Sequence, residues 1–309
     1  MTASELVGTV VELWRFPVKS MLGEKLDTVE LTAGGIAGDR AYGIVDVATG
    51  KIASAKHPRL WPDLFRCRAT FLAPPVPGAA PPPARIELGD GTVVRTDDPD
   101  VDAVLSRYFG RSVAQTTAAP ADYTIAEYHP DVENLNPAGD RDVVVDEVLG
   151  SAFFNSVGLP SVVAEGALVD LFPLSVLTTS SLRTFAELTP GSDWDTRRFR
   201  MNVIIESVAD GLAENDWVGS SLAFGAGASL IAALPTPRCV MTSLAQEELP
   251  RDSAMLKSVA VHNRLDVAGA GLYPCFGVYA VPGQAGPIHA GDQVRLGSAE
   301  FALTIPPLG

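Results

Sequence analysis

The chain has 309 residues, of which 47% are hydrophobic and 19% charged, and its formal net charge is -14. That length and apolar share predict one large or two ordinary folded domains and exclude wholesale disorder. No window reaches the roughly 20 uninterrupted apolar residues that a membrane helix needs. Residues 1–11 lack the basic start and apolar run of a leader. An acidic surface repels phosphate backbones, so a soluble, cytoplasmic protein without nucleic-acid or membrane partners is expected.

The first third of the sequence reads as strands. Residues 7–16, 26–32 and 41–47 are apolar and β-branched or alternating, and Phe65, Cys67, Ala69 and Phe71 share one face of a further run. Gly, Pro and Asp separate these runs, which suggests a barrel or sandwich instead of a βαβ array. Residues 73–83, crowded with proline, predict an exposed loop between two strands. Residues 98–109 predict a helix, capped by Asp98 and ended by Gly110. The boundary between two halves is expected in the mixed stretch 118–157. A second helix is expected at 173–188, with Asp170 near its start, and a short one near 252–259. Strands are expected to resume at 201–206, 221–224, 229–234, 275–281, 293–296 and 300–305.

Three constellations carry chemistry. Cys239 follows Leu234-Pro-Thr-Pro-Arg, where Pro235 and Pro237 stiffen what reads as a loop. Arg238 beside it is expected to favour the thiolate, a soft ligand for a thiophilic metal. A buried structural cysteine is the equal alternative on local sequence alone. Cys67 and Cys275 lie in apolar strand settings and read as core. Pro17-Val18-Lys19-Ser20 and Gly34-Gly35-Ile36-Ala37-Gly38-Asp39-Arg40 offer cations and a hydroxyl at tight turns, suited to an anion. By themselves they are ordinary surface turns, and their spacings match neither a P-loop nor a dinucleotide fingerprint. Arg198, Arg200 and Asn202 would line one face of a strand, where a solvated edge is the simpler reading. The spaced histidines lack zinc-site patterns, and His57 and His262 read as surface residues. The glycine pairs at 225–227 and 269–271 read as turns.

In order, these pieces resemble one family. Residues 8–71, with PVKS followed by GDR, resemble the MOSC N-terminal β-barrel domain. Asp170-Leu-Phe-Pro-Leu, Arg198-Phe-Arg-Met-Asn202, Asn215-Asp-Trp217, Pro237-Arg-Cys239 and Gly291-Asp292 resemble the MOSC domain, as in mitochondrial amidoxime reducing components and YcbX-like proteins. The resemblance implies a β-rich α+β fold of two β-barrel-like domains with a few flanking helices. It divides the chain at 1–125 and 126–309, with room for the first strands to pack in the C-terminal barrel.

The resemblance also implies a molybdenum cofactor, molybdopterin with its metal, between the domains. Lys19, Ser20 and Arg40 match positions that hold its phosphate, and Arg200 and Asn202 match positions on the pterin. Cys239 matches the thiolate on the metal, flanked by Thr236 and Arg238, with Asp170 and Thr178 nearby. The implied activity is reduction of N-hydroxylated substrates such as amidoximes, hydroxylamines or N-hydroxy bases. A cofactor carrier or sulfur-transfer protein is the alternative. Three cysteines are too few for a four-thiolate iron–sulfur cluster, so a separate electron-donor protein is expected.

Overall fold

A computed structural model describes residues 4–225, 227–301 and 303–305. The expected final strand at 300–305 and the 225–227 turn lie partly outside the described residues, as does the start of the segment 1–11. Among the described residues the fold is β-rich α+β, with four α-helices and one closed barrel. No described helix is long and apolar enough to cross a membrane.

Seven strands build the barrel: β1 (Glu5–Arg15), β2 (Leu174–Thr178), β3 (Val203–Ser207), β4 (Ser220–Phe224), β5 (Ala228–Pro237), β6 (Leu272–Gln284) and β7 (Gln293–Ser298). Around the wall they run β2-β3-β1-β7-β4-β5-β6, and β6 pairs back onto β2. Only β2 and β3 are parallel within that ring. Closure removes the sheet edges that an open sheet would expose. The interior is aliphatic, with Val10, Leu13, Val176, Val203, Ile205, Leu222, Leu230, Val278 and Val294 all buried.

Because β1 is the N-terminal strand, the first segment of the chain is part of this barrel. The chain leaves it at Arg15 and builds a separate core from Val18, Met21, Tyr42, Trp61, Leu64, Phe65 and Cys67 before returning at β2. Small sheets surround that core. Arg68–Phe71 pairs with Ala84–Glu87, Gly43–Asp46 with Val113–Thr116, and Thr124–His129 with Val143–Val148. The helix α1 (Val101–Phe109) closes on Gly110, whose φ of 63° meets the left-handed cap. The proline-rich 73–83 segment is the connection between Arg68–Phe71 and Ala84–Glu87. It packs over Gly38, where an added Cβ would lie 2.5 Å from Pro75 Cγ.

Several expected elements differ. Asp98 does not cap α1; its carboxylate accepts from the Arg95 amide, and Asp100 takes the cap position. α2 (Gly150–Ser156) was not anticipated in the mixed stretch. The helix expected at 173–188 divides into β2 and α3 (Thr179–Leu188), and the Thr178 hydroxyl accepts from the Ser181 amide as its cap. All five residues of β2 are buried, and a short apolar run of that kind looks the same as a buried helical turn. Residues 196–199 form a 3-10 turn, because the Asp195 carboxylate accepts from the Arg197 amide at 2.9 Å. The run 198–202 therefore has no strand face. Finally, β5 continues through Pro237. Register shifts between Ala232 and Leu234 and between Pro235 and Pro237 let a strand accept two prolines. The last helix, α4 (Ser253–His262), starts where the Asp252 carboxylate accepts from the Ala254 amide.

Candidate functional site

Lys19, Ser20, Arg40, Asp170, Arg200 and Asn202 line one open cavity of ≈ 500 Å³, together with Ser54, Phe172, Leu174, Ser175, Met241 and Tyr279. The lining joins both halves of the chain. Three of its residues, Ser20, Arg40 and Arg200, hold φ values of 64°, 51° and 54°. Non-glycine residues rarely occupy that region, and strain of this kind collects where side chains must be aimed.

Charge in the cavity is unevenly matched. Lys19 forms an ion pair with Asp170, and Arg40 with Asp39. Arg200 has no carboxylate partner among its hydrogen bonds. It donates to the Met21 carbonyl at 2.6 Å and lies 4.2 Å from the Phe16 ring centre. Burial and the like charge of Arg40 depress its proton affinity. Ser20 is fixed by accepting from the Ala55 amide at 3.1 Å. Asn202 donates to Asp39 at 3.0 Å and accepts from the Ser175 amide at 3.2 Å.

Lys56 is a site residue that the sequence reading missed. Its ammonium lies 3.1 Å from Asp170 Oδ2 and 2.9 Å from Glu127 Oε2. Burial opposes its charge, but Asp170 and Glu127 prevail and raise its proton affinity well above the ordinary lysine value. Asp170, which burial alone would push up, is held well below the usual carboxylate range by Lys19 and Lys56. Burial and the charges of Lys56 and Arg40 pull Lys19 down in spite of Asp170. The only sequence signal for Lys56 is a lysine in the weakly patterned run Ile52-Ala-Ser-Ala-Lys56.

Cys239 follows β5, two residues before the cavity-lining Met241, and is partly accessible. It is not itself among the residues that line the cavity. Burial and the Glu127 charge raise its thiol, while Lys56, the Met241 amide and Arg238 work the other way. The expectation that Arg238 makes a thiolate is therefore corrected. The Arg238 guanidinium turns to the Phe199 carbonyl at 2.8 Å, and desolvation outweighs its pull. Thr236 Oγ1 and Arg238 Nε, on either side of Pro237, are buried without a hydrogen-bond partner. Such orphaned polar atoms are costly unless a ligand meets them.

Two expected residues lie elsewhere. Thr178 is fully buried and donates to Glu214 at 2.5 Å, beside Ser181 at 2.7 Å from the same oxygen. Arg198 is also fully buried, donating to the carbonyls of Asp193, Leu244 and Pro250. It ties loops together and does not line the cavity. Cys67 and Cys275 are core residues with no exposed surface.

The lining set fits an anionic group. The lining places Lys19, Arg40 and Arg200 against one lining carboxylate, inside a protein of net charge -14. No group of three metal-ligating side chains occurs among the described residues, so a metal here would arrive in its own ligand frame.

No curated protein matches the chain. Among solved structures, the YUAD protein from Bacillus subtilis is similar over 96% of this chain and 100% of its own, at 11% identity and a TM-score of 0.44. YiiM from Geobacillus stearothermophilus is similar over 40% of this chain and 54% of its own, at 18% identity and a TM-score of 0.28. The family model for the MOSC N-terminal beta barrel domain matches residues 7–78, and the model for the MOSC domain matches residues 165–295. The chain therefore belongs to the MOSC-domain proteins, whose domains are associated with binding of the molybdenum cofactor.

Proposed function

We propose that the protein is a molybdenum-cofactor-dependent oxidoreductase that reduces N-hydroxylated substrates such as amidoximes, hydroxylamines or N-hydroxy bases. The observation that carries the reading is the convergence of Lys19, Arg40 and Arg200 on one cavity, where Lys19 and Lys56 share Asp170, Arg40 pairs with Asp39, and Arg200 is left without a carboxylate partner. An anionic cofactor meets that unpaired cation. In this reading Lys19, Ser20 and Arg40 hold the phosphate, and Arg200 and Asn202 hold the pterin.

Cys239 is the metal ligand, with Thr236 and Arg238 offering unpaired polar atoms beside it. A thiol gives up its proton when it binds a metal, so loading at Cys239 would release one. When bound, the cofactor supplies the redox centre that takes the substrate oxygen. The protein orients the substrate, confines water and provides protons, and a separate protein provides electrons.

The test is elemental analysis of protein made in a cofactor-competent host, followed by benzamidoxime turnover with a chemical reductant. Molybdenum near one equivalent and turnover in the wild type, with both lost in Cys239→Ala, are expected. Full metal content and activity in Cys239→Ala would sink the reading. Bound cofactor without turnover of any N-hydroxy compound would assign the chain to cofactor carriage or sulfur transfer.

A further inference from the structure

The lining of the cavity is chemically divided between the two halves of the chain. Lys19, Ser20, Arg40 and Ser54 come from the N-terminal segment, and all four carry polar side chains. The apolar members, Phe172, Leu174, Met241 and the half-buried Tyr279, all come from the second half. The reductase reading gives the cations and Asn202 to the cofactor and leaves this apolar wall without a task.

The wall is built on the outer surface of the barrel. Along β6, Val278 and Ala280 turn into the barrel core, so Tyr279 between them turns outward. It stands opposite Ser175 of β2 and Leu234 of β5, at the seam where the barrel closes. Its ring stacks on Phe172, with centroids 5.1 Å and planes 17° apart. Phe172 in turn meets Phe154 of α2 edge-on at 6.2 Å, and Phe154 meets Phe153 at 5.5 Å. The rings brace one another, and Tyr279 stands at the cavity end of the row. Met241 continues the wall to within two residues of Cys239 in the chain. The hydroxyls of Tyr42, Tyr108, Tyr123 and Tyr128 are engaged by protein groups, whereas among the described residues that of Tyr279 has no protein partner.

A ring held by one aromatic neighbour and open to a cavity is a bed for a further flat ring, because aromatic pairs gain from offset or edge-on contact beyond the area they bury. A puckered aliphatic ring of the same size gains the burial without that geometry. We infer that Tyr279, held by Phe172, determines the specificity of this site: it seats N-hydroxylated substrates whose body is a flat aromatic or heteroaromatic ring, and its hydroxyl donates to the polar group they carry. The inference rests on the reductase reading and names the substrate class within it.

The first test begins with the wild type. Loaded protein is given benzamidoxime and cyclohexanecarboxamidoxime, which carry the same reacting group on a flat and a puckered ring. The ratio of their kcat/KM values is expected to favour the flat ring roughly fivefold or more. Tyr279→Leu should erase most of that preference at unchanged molybdenum content. Tyr279→Phe keeps the ring and should retain the preference, while KM for both compounds rises roughly threefold to tenfold. Equal kcat/KM for the two compounds in the wild type, or a preference that survives Tyr279→Leu, overturns the seat and leaves the reductase reading standing. Loss of molybdenum from folded Tyr279→Leu assigns the wall to the cofactor and also overturns the seat.

The second test uses no turnover. In cofactor-free protein, saturation-transfer NMR is expected to show contact between the protein and the benzamidoxime ring in the wild type and in Tyr279→Phe, and little in Tyr279→Leu. No contact in the wild type, or equal contact in Tyr279→Leu, overturns the seat. A loaded wild type that reduces neither compound while this contact persists fails the reductase reading alone and leaves Tyr279 as a flat-ring binding residue.

Discussion

Arg200 places its guanidinium 4.2 Å from the centre of the Phe16 ring and donates to the Met21 carbonyl, 179 residues away in sequence. One side chain from the end of a 3-10 turn in the second half thus seals the N-terminal segment against the barrel.

Loss of that contact has two consequences. Arg200→Ala removes a hydrogen bond from a charged donor and a cation–π contact, for a loss of about 2 to 4 kcal/mol in urea unfolding. Pyrophosphate, used as a surrogate anion, should raise the melting temperature of the wild type and raise that of the variant much less. Equal shifts would remove Arg200 from the anion site.

Asp170 makes stability depend on acid. Its proton affinity in the folded chain lies well below the unfolded value of 3.8, so its contribution is present above that pH and is lost as pH falls below it. Asp170→Asn leaves Lys19 and Lys56 without their shared partner and should cost about 3 to 5 kcal/mol at pH 7. The difference between wild type and variant should shrink on titration from pH 5 to pH 3, as read by thermal melting.

Glu214 has the opposite sign. It is buried, bonded to Thr178 and Ser181, and without a cationic partner, and burial raises its proton affinity above the ordinary 4.5. Stability linked to this group is full below that unfolded value and is lost as pH rises through the folded one. Glu214→Gln keeps the acceptor oxygen, so its stability relative to wild type should increase between pH 4 and pH 8. A flat difference across that range would contradict the assignment.

Gly277 sits where β6 closes onto β2, next to the Val176–Val278 pair. Its φ is 82°, and a Cβ there would fall 2.7 Å from the Val176 carbonyl oxygen and 2.2 Å from Met201 Cε. The left-handed backbone penalty alone is about 1 kcal/mol for alanine, and the backbone clash adds to it. Gly277→Ala should therefore destabilise by roughly 2 kcal/mol or more, measured by denaturant midpoint. Gly50→Ala has open space around it and should cost only the backbone penalty.

Local sequence was enough for what depends on near neighbours. The strand runs expected at 7–16, 221–224 and 293–296 located β1, β4 and β7 to within a few residues, the proline run marked the 73–83 connection, and Asp252 marked the start of α4. The order of the PVKS, GDR and Pro237-Arg-Cys239 pieces pointed to the MOSC family, and the same pieces nominated Lys19, Arg40 and Cys239. Tertiary structure alone decided how those pieces meet. Lys19 finds Asp170 across 151 residues, Lys56 joins Asp170 to Glu127, and β6 closes on β2. It also separated Arg200, which lines the cavity, from Arg198, which braces loops, although the two differ by only two positions in sequence. Periodicity and capping record contacts within a few residues, whereas burial, partner choice and the balance of charge arise only when distant segments exclude water together.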